Sequence, residues 1–360
     1  MVKKLRSFFG KRKFVRLLLI LKNKKYWRTQ ITEEFSKRFD EIPDKKWVTW
    51  CYWDFFKFYS KHGFPLSVNI SFFVDYFGAQ IYKKSEFLRS QSFSTGVRKT
   101  WRNSVNKKEI QKIFDDKREF NKVFDEFLFR PWMTANCQTP IDALKEFVKK
   151  CQNKVVSKEP LGLGGTGVKF YDTSDLCDFE KLCSDIKKQE LVLEGVVTQD
   201  SEIAHFSKGA VNTFRIITIL DIDGESHVAR AVFRMGTGDK KVDNFSSGGI
   251  AAQIDVESGI LISCAYDKYG KEYIFHPNTK QQIVGYKIPD WELYKDFCIK
   301  MSKKCLSAHY VGWDIARDCF GRIVCIEANH TAGARVMEAN ILYGLWPFYQ
   351  KIYGGGGTNE

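Results

Sequence analysis

The sequence predicts an α+β fold, helices first and a mainly antiparallel sheet after them. Three observations carry this. Residues 1–110 are basic, aromatic and helical in texture. From residue 155 the chain changes to short β runs punctuated by glycines. Near the C-terminus a polar turn ending in Gly321 joins two apolar runs into a hairpin.

The N-terminal part is set apart by charge. The net charge is +14, yet residues 1–150 hold 33 Lys and Arg against 16 Asp and Glu, while the remaining 210 hold 24 against 27. The first 32 residues contain 11 basic residues and no acid. Such asymmetry points to an anionic surface as partner. Residues 14–21 form a short apolar run between two basic clusters, the pattern of a helix lying flat on an anionic membrane through residues 1–25. A basic helix docked on its own domain fits the same residues. No run of 18 apolar residues occurs, so no membrane-spanning helix is expected. The aromatics between Trp47 and Tyr59 have few interleaved basic residues and resemble a buried core segment, so no nucleic-acid partner is expected. Ten cysteines without a CxxC pair, and no signal-peptide pattern, suggest reduced thiols in the cytoplasm, with peripheral contact to the inner membrane face.

Residues 107–130 carry Ile110, Phe114, Phe120, Val123, Phe124 and Phe127 at roughly helical spacing, and Pro131 and Pro140 mark breaks. A short helix is expected over 143–151. Strands follow over 155–158, 191–194, 214–220, 227–233 and 250–255, then a helix at about 291–308. Residues 351–360, with glycines 354–357, read as a flexible tail.

Two motifs carry chemistry. Lys158-Glu-Pro-Leu-Gly162-Leu-Gly164-Gly165-Thr166-Gly167 is a lysine followed by a glycine loop, and glycines let backbone amides crowd an anion. A dinucleotide fingerprint would need a helix next, but the strand-like Val168-Lys-Phe-Tyr171 follows. A P-loop would need Lys and Ser or Thr directly after Gly167. A protein kinase has its lysine after the loop and needs HRD and DFG motifs, which are absent. What remains is a hairpin flap over a nucleotide, or a tight glycine turn. The second motif is the hairpin Val311-Gly-Trp-Asp314 to Ile326-Glu327-Ala-Asn329. A turn centred on Phe320-Gly321 puts Asp314 opposite Glu327, with Asn329 on the same face. Three oxygen donors without Cys or His suit a hard cation such as Mg²⁺. Ordinary surface acids on a half-exposed hairpin fit equally.

In this order, Lys158, the glycine loop and the Asp314–Glu327–Asn329 hairpin resemble an ATP-grasp enzyme. The thirteen-residue step from Asp314 to Glu327 and the Glu-Ala-Asn ending are similar to those of D-alanine–D-alanine ligases. A closer resemblance is to the sugar-transfer-associated ATP-grasp group of bacterial surface-polysaccharide clusters. It rests on Asp116-Lys117, Lys158-Glu-Pro, Asn212-Thr-Phe-Arg215, Val242-Asp-Asn-Phe-Ser-Ser-Gly-Gly249, Ile288-Pro-Asp-Trp291, Gly312-Trp-Asp314 and Glu327-Ala-Asn329, and covers about 110–345.

The resemblance implies an ATP-grasp domain over 111–350, with a flap subdomain at about 140–195 and a metal-binding subdomain at about 200–345, after a helical region over 1–110. It implies that Lys117 and Lys158 contact ATP phosphates and that Gly164, Gly165 and Thr166 close over them. Glu194, Val196 and Val197 would form the adenine hinge. The ribose acid would fall near Ser201, with Asp200 or Glu202 substituting. Asp314, Glu327 and Asn329 would hold one or two Mg²⁺ ions, or Mn²⁺ in their place. D-alanine ligases carry an arginine two residues before the first metal aspartate. Gly312 stands there, so Arg215 or Arg234 would supply the catalytic cation, or form structural ion pairs. The implied activity is an ADP-forming carboxylate–amine ligase acting through an acyl phosphate in capsule, O-antigen or exopolysaccharide synthesis. Its substrates would be a small-molecule or sugar-linked acceptor and an amine donor. A phosphotransferase and a non-catalytic membrane-associated binding protein are the alternatives.

Overall fold

The computed structural model describes residues 24–39, 43–61, 76–77, 79–92, 95–162, 167–207, 209–238, 248–333 and 346–352. The chain divides into two compact units, one of residues 1–100, 269–271 and 334–346, the other of residues 101–268, 272–333 and 347–360. The basic N-terminal arm, the glycine-loop residues Gly164, Gly165 and Thr166, the segment 242–247 and the C-terminal glycines lie outside the described residues.

In the smaller unit, helices α1 (Lys24–Phe39) and α2 (Lys45–Lys61) pack through aromatic side chains. Tyr52, Phe55, Phe56 and Tyr59 recur at helical spacing and are buried with Trp27, Ile31, Tyr76 and Phe77. Much of the Trp47–Tyr59 aromatic run is thus core. Asp54 faces inward, ion-paired with Arg89 at 2.6 Å.

In the larger unit the expected helix over 107–130 is broken into the short helices Gln111–Phe114 and α3 (Lys117–Val123). The reason is local: Asp116 adopts an extended backbone and its Oδ1 accepts from the Arg118 amide at 2.9 Å, so it caps α3 rather than continuing the preceding turn. Strand β1 (Trp132–Ala135) and helix α4 (Ile141–Lys150) come next. The following elements are β2 (Lys154–Lys158), β3 (Lys169–Asp172), α5 (Leu176–Lys188) and β4 (Leu191–Gly195). The four strands form one antiparallel sheet in the order β1-β4-β2-β3. Side chains alternate. Val155, Leu191 and Leu193 join Leu144, Phe147, Leu182 and Ile186 of the two helices in one core, while Lys158 and Glu194 are left to the other face.

The second sheet has seven strands in the order β11-β10-β5-β6-β7-β8-β9. These are β5 (Thr213–Leu220), β6 (Ser226–Met235), β7 (Ile250–Ile254), β8 (Ala265–Tyr266), β9 (Glu272–Tyr273), β10 (Tyr310–Arg317) and β11 (Ile323–Asn329). Helix α6 (Trp291–Lys303) buries Trp291, Tyr294, Cys298 and Met301, a helical stripe, and Tyr294 meets Phe214 of β5 edge-on. Phe214 in turn stacks on Phe233 of β6 at 4.8 Å. No described helix is long and apolar enough to cross a membrane.

Candidate active site

The β10–β11 hairpin turns at Gly321, whose φ of 77° is a conformation that favours glycine. Asp318 fixes the turn by accepting from the amides of Phe320 and Arg322 at 3.0 and 2.9 Å. The register that follows sets Asp314 opposite Glu327 and Gly312 opposite Asn329. Asp314 also lies opposite Arg215 of β5. Arg215 grips both of its carboxylate oxygens, and Arg234 of β6 donates from Nη1 to Oδ2 at 2.8 Å. Gly312 makes room for this. A Cβ there would lie 2.5 Å from that of Ala332 and 3.0 Å from the Arg215 Cδ, so the glycine admits the arginine stem.

The two carboxylates respond in opposite directions. Burial pushes the Asp314 carboxyl up, but the Arg215 and Arg234 guanidiniums outweigh it and hold the group well below the usual carboxylate range. Glu327 is raised, by burial and then by the Asp314 charge, only partly offset by Lys158 and the two arginines. Its carboxylate has no hydrogen bond or ion pair among the described residues. Asn329 Oδ1 accepts from the Thr331 amide and hydroxyl, both at 2.7 Å. No three His, Cys, Asp or Glu side chains converge among the described residues. A cation here would therefore meet the two hairpin carboxylates, with amide, water or phosphate oxygens completing its shell.

On the four-stranded sheet, Glu194 of β4 is 1% exposed. Its Oε2 accepts from Arg130 Nε and Nη2 at 2.8 and 2.6 Å and from Lys158 Nζ at 2.8 Å, and its Oε1 from Asn121 at 3.2 Å. Burial opposes ionisation, yet Arg130 and Lys158 bring the carboxyl down to about 2. Arg130 reaches further, donating to the Cys325 carbonyl of β11 at 2.5 Å. It thereby ties the two sheets together. Lys117 opens α3, its amide bonded to the Pro160 carbonyl at 2.9 Å and its ammonium to the Gly162 carbonyl. Burial lowers its pKa, Glu327 counteracts this, and Lys158 adds repulsion.

Lys117, Lys158, Glu194, Glu327, Asn329 and His330 line a cavity of about 270 Å³, whereas Asp314 and Arg130 are buried behind it and do not line it. A second cavity of about 410 Å³ borders Val196 and Val197, beside Lys154, Phe170, Asp172 and Asp178. Glu202 lines neither cavity: it sits exposed on the turn Ser201–Ala204 and accepts from the Tyr286 hydroxyl at 3.4 Å. Asp200 caps that turn through the Glu202 and Ile203 amides. Neither Arg215 nor Arg234 lines the 270 Å³ cavity; both reach Asp314.

Arg130, Asn121 and the His330–Asp115 pair, 3.0 Å apart, were not singled out by the sequence. A signal existed for the first. Glu194 ends an apolar strand, and a buried carboxylate demands cations. Which cations answer is a matter of tertiary structure.

The model of the family described as sugar-transfer associated ATP-grasp matches residues 97–352. The chain belongs to the sugar-transfer associated ATP-grasp family. Its α+β architecture, two antiparallel sheets following a helical region, is the ATP-grasp fold. No curated protein matches the chain. Among solved structures, an ADP complex of N5-carboxyaminoimidazole ribonucleotide synthetase matches at 11% identity and a TM-score of 0.40, over 63% of this chain and 47% of that one. The ATP-grasp ligase PsnB, solved with a phosphomimetic variant of its minimal precursor, Mg and ADP, matches at 16% and 0.40, over 68% and 62%. The N5-carboxyaminoimidazole synthetase of Staphylococcus aureus with ADP matches at 8% and 0.42, over 64% and 48%. This sugar-transfer associated chain thus spans about half to three-fifths of the length of the solved proteins named here.

Proposed function

We propose that the protein is an ATP-dependent carboxylate–amine ligase of surface-polysaccharide assembly, acting through an acyl phosphate. The observation that carries this reading is the convergence of Lys117, Lys158 and the unpaired Glu327 on one cavity in a chain of the ATP-grasp family. Lys154 and Lys158 stand at opposite ends of β2, about 13 Å apart along the strand. That is the span of a nucleoside triphosphate. Its base would lie in the cavity beside Val196 and Val197, and its phosphates against Lys117 and Lys158. The Val197 amide makes no hydrogen bond among the described residues, as a hinge donor to adenine requires. The Glu194 side chain then serves to hold Lys158 rather than to meet the base.

Mg²⁺ fits the hairpin because its donors are all oxygens and Glu327 has no hydrogen-bond or ion-pair partner among the described residues. Asp314 and Glu327 would hold it, with Asn329 beside them, and its chemistry would be to neutralise charge on the transferring phosphoryl group. The reaction has two steps. An acceptor carboxylate oxygen attacks the γ-phosphorus and the bond to ADP breaks. The amine nitrogen then attacks the acyl carbon, the C–O bond to phosphate breaks, and the amine proton leaves to a base. His330, oriented by Asp115, lines the same cavity and takes that role. Arg215 and Arg234 keep Asp314 ionised, the form a cation needs.

Calorimetry of ATP binding with and without Mg²⁺, on wild type and on Glu327→Gln, tests the site. Binding should require Mg²⁺ and weaken at least about tenfold in the variant, the loss of one charged ligand. Absence of Mg²⁺-dependent binding by the wild type would sink the reading. Stable phosphorylated acceptor formed without any amine would make the enzyme a phosphotransferase instead.

A further inference from the structure

Helix α2 is mostly a core helix, but one stripe of it is not. Lys46, Trp50, Trp53, Lys57 and Lys61 are all exposed and recur every three or four residues, so at 100° per residue they fall within about 80° of arc. The indoles are 47% and 44% exposed, and Tyr26 of α1 adds a ring that is 52% exposed. Lys24 of α1 lies 5.9 Å from the centre of the Trp53 ring, so a further ammonium stands beside the indole. Among the described residues, acids are few on this side. Glu86, itself exposed, approaches Lys57 and Lys61 at 3.8 and 3.5 Å, Glu33 and Asp44 are exposed elsewhere on these helices and their flank, and Asp54 is turned inward to Arg89.

The same helix buries Tyr52, Phe55, Phe56 and Tyr59, so the unit has an apolar interior that these two tryptophans do not enter. Single exposed apolar residues are unremarkable, but two indoles in one stripe framed by ammonium groups are not scattered. Trp prefers the headgroup level of a bilayer, where its ring is half apolar and half wet, and lysines are drawn to anionic lipid phosphates. The chain leading into α1 carries the same sign: residues 1–23 hold eight Lys and Arg and no acid.

We propose that this stripe docks the protein on an anionic phospholipid bilayer, with Trp50 and Trp53 seated among the headgroups and Lys46, Lys57 and Lys61 facing their phosphates. The proposal stands apart from the reading of the nucleotide site. It differs from attachment through the N-terminal arm alone, because it assigns the contact to a folded helix face.

Co-sedimentation of the full-length chain with vesicles of phosphatidylcholine, with and without phosphatidylglycerol, tests it. Binding should require the anionic lipid and fall with salt. Trp50→Ser with Trp53→Ser should weaken it at least about tenfold although residues 1–23 are intact, and so should Lys46→Glu with Lys57→Glu and Lys61→Glu. All five positions are exposed, so circular dichroism should show both variants folded. No binding to anionic vesicles, or wild-type binding by both variants, overturns the proposal. Retention on single-stranded nucleic acid without vesicle binding would do the same.

Discussion

Each sheet of the larger unit buries a carboxylate, and the two are served differently. Glu194 meets Arg130, Lys158 and Asn121, and every contact is made within the protein. Asp314 meets Arg215 and Arg234, but its ladder neighbour Glu327 meets neither. Among the described contacts, the guanidiniums that β5 and β6 send to the hairpin therefore both reach one of its two carboxylates. The first cluster is finished without a ligand. The second leaves one carboxylate facing a cavity that also holds Lys117 and Lys158. The ion cluster and the proposed binding site thus share Lys158, which Glu194 fixes on one side and which lines the cavity on the other.

The largest effect expected is on the finished cluster. Glu194→Gln keeps the shape but leaves Arg130 and Lys158 buried without a counter-charge, which should cost about 3–5 kcal/mol in urea unfolding. A loss below about 1 kcal/mol would mean that the two cations find other partners. Acid should reveal the same cluster. Glu194 titrates at about 2 when folded against about 4.3 in an unfolded chain, so the native state binds fewer protons between those values. Its contribution is complete above about 4.3 and is lost as pH falls toward about 2. Asp314, also lowered, has the same sign. Wild-type stability should fall steeply over that range, and that of the Glu194→Gln variant less steeply.

Next in size is the proton acceptor. His330→Gln should lower amine-dependent product formation by about 10²–10³-fold, the usual range for a lost general base. ADP release on the carboxylate alone and Mg²⁺-dependent ATP binding should stay near wild type, because neither removes the amine proton. Asp115→Asn should act in the same direction but less, since it disturbs only the ring's orientation. If both steps fall together, the pair is a brace rather than a base.

How much of this was legible before the fold is uneven, for physical reasons. The Asp314–Glu327 register could be counted because a hairpin with a glycine turn has a local geometry. The strand ending at Lys158 was equally readable, while Gly164, Gly165 and Thr166 of the loop after it lie outside the described residues. Arg130 was not: its partners Glu194 and Cys325 lie 64 and 195 residues away, and no local pattern encodes such a meeting. The helix expected over 107–130 failed because hydrophobic spacing cannot register that Asp116 prefers to cap. Glu202 followed from counting along the hinge, whereas the chain curls into a turn there and sends that side chain to Tyr286.

The smallest effect sharpens the comparison most, because its sign is reversed. Glu327 has a raised pKa when folded, so the native state binds more protons than the unfolded chain over that interval. Its ionised form opposes folding, and the penalty grows as pH rises from about 4.3 through the folded value. Glu327→Gln removes a like charge set directly across the ladder from Asp314 and should stabilise the protein at neutral pH by up to about 1 kcal/mol. Melting at pH 7 and pH 5 checks both sign and trend, the gain being larger at pH 7. The same substitution is the one expected to weaken Mg²⁺-dependent ATP binding. A residue whose removal strengthens the fold and weakens the ligand is kept for the ligand. Were Glu327→Gln instead to destabilise the protein as Glu194→Gln does, Glu327 would belong with the finished cluster, and the distinction between the two sheets would fall.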